Sequence, residues 1–254
     1  MHPQVLTAPE QLELFVQQAL QKNIGEICVT DHMPLSISHA HDRLPHGSVG
    51  KYCARIRELA KRYEERIKIK CGIEIDYHPR ALREIECVLE QGEFDYVLGS
   101  SHLHVFVKNY SDYTRNGFAR AALENAIMAA NSGLFHAITH PDMYRFVFED
   151  QKRFPLVDDG YRAELHWDLF EELFEAVKRN GMYLEINPHL AEQKENLSFT
   201  YPEMQVAQWA LRSGVRFSYG SDAHQPRSVG ALLEELEAHP IYGQGLRQWE
   251  SEVP

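Results

Sequence analysis

Acidic residues and histidines, with one asparagine, recur in close pairs along this chain: Asp31 and His32, Glu74 and Asp76, His102 and His104, His140 and Asp142, Asn187 and His189, Asp222 and His224. Each pair carries metal-ligand or proton-transfer residue types. Imidazole and carboxylate without thiolate suit Zn, Mn or Fe rather than a soft-metal or iron–sulfur site. One ion cannot use so many donors, because a catalytic zinc takes about three protein ligands and keeps a place for water. Two or three divalent ions are therefore expected. Neighbouring ions of this kind clamp the oxygens of an in-line displacement and acidify water, which is hydrolytic chemistry best suited to a phosphate ester.

The elements that must position these pairs are short apolar runs, each just upstream of or overlapping one pair. "GEICVT" (25–30), "IKIKCGIE" (67–74), "FDYVLGS" (94–100), "LFHAIT" (134–139), "MYLEIN" (182–187) and "VRFSYGS" (215–221) read as strands. Between them lie amphipathic stretches such as "PEQLELFVQQALQKN", with Leu12, Phe15, Val16 and Leu20 at helical spacing, and "HWDLFEELFEAVKRNG", ending on Gly181. Strands separated by helices imply parallel pairing through right-handed crossovers. In a parallel α/β barrel all strand ends converge on one face, so the six pairs become one polar cluster. With no linker, repeat or low-complexity tract, residues 1–254 read as a single domain.

Composition narrows the partners. The formal net charge of -11 repels phosphate backbones and acidic membranes, which argues against nucleic acid. Cys28, Cys53, Cys71 and Cys87 form no C-x-x-C pair and read as reduced core residues of a cytoplasmic protein. No apolar run is long enough to span a bilayer, and "MHPQVLTAPEQ" lacks the basic and apolar regions of a signal peptide.

With those residues in hand, the chain resembles the PHP (polymerase and histidinol phosphatase) superfamily, and within it the histidinol-phosphatase branch. The pieces that carry the resemblance are "VTDHMPLS", "GIEIDYHP", "FDYVLGSSHLH", "SGLFHAITHPDMYR", "YLEINPH" and "GSDAHQPRSVG", in that order from about Ala8 to Gly230. The resemblance implies a distorted (β/α)7 barrel with a trinuclear metal site. It implies that Glu74 bridges two metals, Asp222 completes the first, His102 and His140 hold the second, and His32 and His224 hold the third. Asp31 is implied as an orienting or weakly coordinating partner.

The family begins with a strand bearing an H-x-H motif, which this sequence does not show ahead of its first helix, so the first barrel strand is expected to be missing. His2 stands either for the family's later metal-binding histidine, and so as a metal ligand, or in an unordered terminus, leaving the first metal with Glu74 and Asp222 alone. His39 and His41 in "SHAHDRLPHG" are substitute candidates. A missing strand would also leave a sheet edge open to a second copy, so a homo-oligomer remains open. A chain trimmed at its start and a natural variant account for the difference equally.

For the substrate, Arg145 and Arg227 are the candidate phosphate contacts, since arginine forms bidentate bonds with phosphate oxygens. Lys108, Arg43 and Arg115 are unranked reserves. His104 and His189 are candidate substrate contacts or proton donors, and Asp76 or Asp142 a candidate partner for a substrate ammonium. Asp31, Arg145, Asp222 and His224 are the residues on which catalysis is expected to rest. The reading is hydrolysis of a small phosphate ester, L-histidinol phosphate to L-histidinol and phosphate. The alternatives are another phosphoester such as a nucleotide or phosphotyrosyl peptide, a related hydrolase acting on C–N bonds, and an impaired binding domain.

Overall fold

The structure, a computed structural model, describes residues 1–6, 9–40 and 43–246. Its strands are β1 (Glu26–Val29), β2 (Lys68–Asp76), β3 (Tyr96–Ser100), β4 (Ala137–Ile138), β5 (Tyr183–Ile186) and β6 (Phe217–Tyr219). They pair in chain order, every neighbouring pair parallel. All six fall within or across the edge of the expected runs. The helices are α1 (Pro9–Gln21), α2 (Val49–Tyr63), α3 (Leu82–Gln91), α4 (Arg115–Asn131), α5 (Tyr144–Glu149), α6 (Trp167–Arg179), α7 (His189–Lys194), α8 (Met204–Arg212) and α9 (Leu233–Ala238).

Burial explains why these segments take these forms. In β2, six consecutive residues from Cys71 to Asp76 are buried, the pattern of a parallel strand covered on both faces. On α6, Leu169, Phe170, Leu173, Phe174 and Val177 make one buried stripe at helical spacing. Helix α4, which packs on α6, instead buries small residues such as Ala119, Ala122 and Ala126, which let the two helices approach closely. Its first turn is capped by Thr114, whose hydroxyl oxygen accepts from the Gly117 N–H at 3.0 Å. The cysteines are all free; Cys53 and Cys71 lie in the core, but Cys87 is exposed on α3, against expectation, because its side of that helix faces solvent.

The six strands make an incomplete barrel, as expected for a (β/α)7 fold short of one strand. Strands β1 and β6 are the ends of the sheet order and do not pair with each other. The top of the gap between them is bridged by the first two residues. The Met1 carbonyl accepts from the Thr30 N–H at 2.9 Å, and the His2 N–H donates to the Ala223 carbonyl at 2.8 Å. Below this bridge lies a cavity of about 710 Å³ lined by residues including Ile27, Cys28, Tyr96 and Tyr219. Among the described residues, no helix is long and apolar enough to cross a membrane.

Candidate metal centre

The strand ends bring the expected residues together. Glu74, near the end of β2, is the hub: its Oε1 lies 3.4 Å from His140 Nε2 and 3.8 Å from both His32 Nδ1 and His102 Nε2. Its Oε2 lies 3.3 Å from His2 Nε2, which is 3.0 Å from Asp222 Oδ1. His224 Nε2 is 3.2 Å from the same Asp222 oxygen. The rings of His2 and His32 stack at 4.4 Å, and those of His102 and His140 at 4.7 Å.

Several of these donors are left without partners. His32 Nδ1, His102 Nε2 and Glu74 Oε1 have no hydrogen-bond partner among the described residues, and neither do the buried Nδ1 atoms of His2 and His140, whose Nε2 atoms face Glu74. Orphaned buried polar atoms are costly, so their convergence calls for a ligand. Two donors bound to one tetrahedral zinc at about 2.0–2.1 Å lie roughly 3.4 Å apart, close to the shorter separations around Glu74. His2 with Glu74 and Asp222, and His32 with Glu74, Asp76 and His102, each form a set with mutually close ligand atoms. The donor set fits divalent metal ions.

The electrostatics of these side chains agree. Burial by itself would raise the Glu74 pKa, but the imidazoles of His32, His140 and His2 outweigh it and hold the carboxyl well below its usual range. Asp222 is likewise pushed up by burial and more strongly down by His2 and His224. Burial lowers the His140 pKa, yet the Glu74 carboxylate carries it up to about 9. Burial drives His32 well below its ordinary value. Backbone geometry is also committed here, since His140 and Asp222, each just past a strand, have φ of 27° and 48°. Such left-handed conformations cost on the order of 1–3 kcal/mol for non-glycine residues and collect at functional sites.

A surrounding layer orients the cluster. Asp76 Oδ1 accepts from Ser100 Oγ at 2.9 Å and meets His102 Nδ1 at 2.6 Å, which turns His102 Nε2 toward Glu74. Its Oδ2 accepts from Arg43 Nε and Nη2 at 3.0 and 2.6 Å. Asp31 accepts from the backbone N–H groups of Gln4 and Val5 at 3.0 and 2.7 Å, so it anchors the segment that carries His2. Glu185, inside β5, escaped the sequence reading. It accepts from Thr139 and from Asn187 Nδ2, which also donates to Asp222 Oδ2 at 3.3 Å. Burial, with Asp222 and Glu74 nearby, raises its pKa to about 7. A lone charge within the apolar run "MYLEI" was the available signal.

Above the cluster opens a cleft of about 550 Å³, lined by His32, His102, Asp222 and His224 on its floor and by Arg43, Arg153, His104, Phe146 and Phe154 among its walls. Two expected substrate residues lie elsewhere. Arg145 donates to Asp142 Oδ2, Thr200 O and Ser198 O at 3.2, 3.2 and 2.9 Å, tying two loops together instead of facing the cleft. Arg227 is exposed and does not line the cleft. The arginines that do are Arg43 and Arg153.

Neither carboxylate expected to receive an ammonium is open to one. Asp76 is saturated by Arg43, Ser100 and His102, and Asp142 is fully buried, its Oδ2 held by Arg145 and the Glu203 N–H. His104 lines the cleft as expected, but burial and His102 push its pKa down to about 3, so it stays neutral and is no proton donor. His39 also reaches the cleft wall, while His41 lies outside the described residues. His2 joins the cluster as an expected ligand, but beside a different pair. It is buried between Glu74 and Asp222, giving that pair the third donor it was expected to lack.

Fold and site together define an α/β barrel with a His/Asp/Glu cluster able to bind metal ions at the C-terminal ends of its strands. The chain belongs to the PHP domain family, whose model matches residues 2–189. It is 30% identical over 225 residues to the probable histidinol-phosphatase of Deinococcus radiodurans, covering 85% of this chain and 81% of that one. It is 24% identical over 249 residues to the histidinol-phosphatase of Bacillus subtilis, covering 88% and 90%. The crystal structure of histidinol phosphate phosphatase from Lactococcus lactis, complexed with zinc, L-histidinol and phosphate, superposes with a TM-score of 0.74. That match has 21% identity and covers 92% of this chain and 86% of that one.

Proposed function

We propose that this protein is a metal-dependent phosphomonoesterase that hydrolyses L-histidinol phosphate to L-histidinol and phosphate. The observation that carries the reading is the convergence of buried imidazoles and carboxylates on Glu74, several of their polar atoms unpartnered, beside a cleft that also presents two arginines. Its similarity to histidinol-phosphatases over most of its length supports the substrate. Residues 1–254 then act as one catalytic unit, and this step of histidine biosynthesis suits a cytoplasmic protein with free cysteines.

Two or three divalent ions, zinc, manganese or iron, would be held by Glu74, Asp222, His2, His32, His102, His140 and His224. They supply Lewis acidity toward the phosphate ester and toward the attacking water. The chain's own residues do the rest. Arg153, at the cleft wall, binds phosphate oxygens with charge-assisted hydrogen bonds. Arg43 stays with Asp76 and so fixes the wall against the ligand His102. Phe146, Phe154 and Tyr110 offer flat apolar surface to an imidazole ring, with neutral His104 beside them as a hydrogen-bond partner. The position of His2 beside Glu74 and Asp222 speaks against an impaired binding domain, a reading that rested on a two-ligand first site.

The test is kcat/KM for L-histidinol phosphate against a nucleoside monophosphate and a phosphotyrosyl peptide, with manganese or zinc present. Preference for L-histidinol phosphate by at least about tenfold supports the assignment. Equal slow turnover of every ester would count against it.

A further inference from the structure

His189 is a cleft histidine to which neither the metal set nor the substrate contacts above give a role. It is the first residue of α7, directly after the β5 end, and it lines the cleft beside Asp222 and His224. One ring nitrogen of His189, one Asp222 oxygen and one His224 nitrogen all lie within 4.8 Å of one another. The rings of His189 and His224 are 5.3 Å apart at 58°.

The two nitrogens of His189 differ. Nδ1 is buried with no hydrogen-bond partner among the described residues, while Nε2 is 2.7 Å from the side-chain amide of Gln193, one helical turn along α7. Amide oxygen and nitrogen are assigned from the bonding network, so Gln193 can present its oxygen to an Nε2–H. That tautomer leaves the Nδ1 lone pair free, the state a metal ligand needs, with its second nitrogen fixed by a neighbour.

The position is also rigidly tied to an expected ligand. Asn187 Oδ1 accepts the His189 backbone N–H at 2.9 Å, while Asn187 Nδ2 donates to Asp222 Oδ2 at 3.3 Å and to Glu185 Oε2 at 3.0 Å. One side chain therefore sets the relative placement of His189 and Asp222, the kind of frame a metal site requires. We propose that His189 is a metal ligand that forms, with Asp222 and His224, a further divalent-cation site on the cleft side of the cluster, with Gln193 setting its tautomer. The inference rests on the metal reading above and extends it to a residue outside the set of His, Glu and Asp ligands assigned there.

The test is zinc titration of the metal-depleted full chain in competition with a chromophoric chelator, for wild type, His189→Ala, His189→Gln and Gln193→Ala. The expected result is loss of the weakest zinc from His189→Ala and His189→Gln, or at least about tenfold weaker binding of it, with the tighter zinc unchanged. Gln193→Ala is expected to weaken the same ion less. Cobalt loading gives a second reading, because losing an imidazole alters the visible absorption of the last ion to bind. The Tm of each metal-free variant serves as the control for folding. Zinc isotherms of both His189 variants that superpose on wild type would overturn the inference while leaving the metal reading intact. A wild-type chain that binds no zinc would overturn both.

Discussion

Replacing Asp76 with alanine separates what this carboxylate does for the fold from what it does for the metal cluster. One oxygen of Asp76 meets His102 Nδ1 at 2.6 Å, and the other accepts two bonds from Arg43. Arg43 is almost as buried as Asp76, so the substitution removes the carboxylate from a buried ion pair. Breaking such a buried pair costs about 3–5 kcal/mol. In a chain of this length each kcal/mol moves Tm by about 2–4 °C, so the metal-free protein should lose roughly 6–20 °C. Independently, His102 loses the partner that fixes its tautomer, and such losses weaken metal binding by about 10–100-fold, or about 1.4–2.7 kcal/mol. Asp76→Asn keeps an acceptor for His102 but not the charge, and should fall between alanine and wild type in both respects. Calorimetry of metal-depleted protein and zinc competition read the two effects separately. Wild-type zinc affinity in Asp76→Ala would refute the orienting role, and an unchanged metal-free Tm would refute the buried-pair argument.

Other perturbations address the remaining parts of the site. In metal-free protein, His140 with its pKa raised to about 9 contributes stability that is fully present below about 6.5 and lost as pH rises toward 9. The span, 9 minus 6.5, corresponds to about 3 kcal/mol, so the metal-free Tm should fall across this range while the zinc-loaded Tm does not. A flat metal-free Tm between pH 7 and 9 would contradict this. Arg153→Ala should raise KM by about 10–100-fold through loss of charge-assisted bonds to phosphate. Arg145→Ala should instead lower Tm, because it strands buried Asp142, and an Arg145 effect confined to KM would restore it as a phosphate contact. Gly220→Ala drives a Cβ into the Glu185 carboxylate. Thermal melts should show about 1–3 kcal/mol of destabilisation, partly relieved by adding Glu185→Ala.

The sequence was informative where a residue's role follows from its distance to a strand end. Asp222 and His224 follow β6 by three and five positions along the chain, His102 follows β3, and parallel pairing alone forces them onto one face. Glu74 was legible for the same reason. What the sequence could not convey was which loops fold back onto that face. Arg43 reaches Asp76 across 33 residues, and no local spacing announces that pairing. Arg145, only five residues past His140, looked close to the chemistry, but the positive φ at His140 and the short helix that follows turn it toward Ser198 and Thr200. His2 is placed by backbone bonds to Thr30 and Ala223 and by Asp31 holding Gln4 and Val5, contacts between segments far apart in the chain. Glu185 was hidden by its strand, since only the packed structure shows Thr139, Asn187 and Gly220 closing around its carboxylate.

The most direct test of the central claim is phosphate release from L-histidinol phosphate by metal-depleted protein, followed as zinc or manganese is added back and bound metal is counted in the same samples. The structure predicts negligible turnover in the depleted state and a rate that rises with the number of ions bound. Turnover unaffected by depletion, or none once the ions are bound, would contradict a metal-dependent phosphatase.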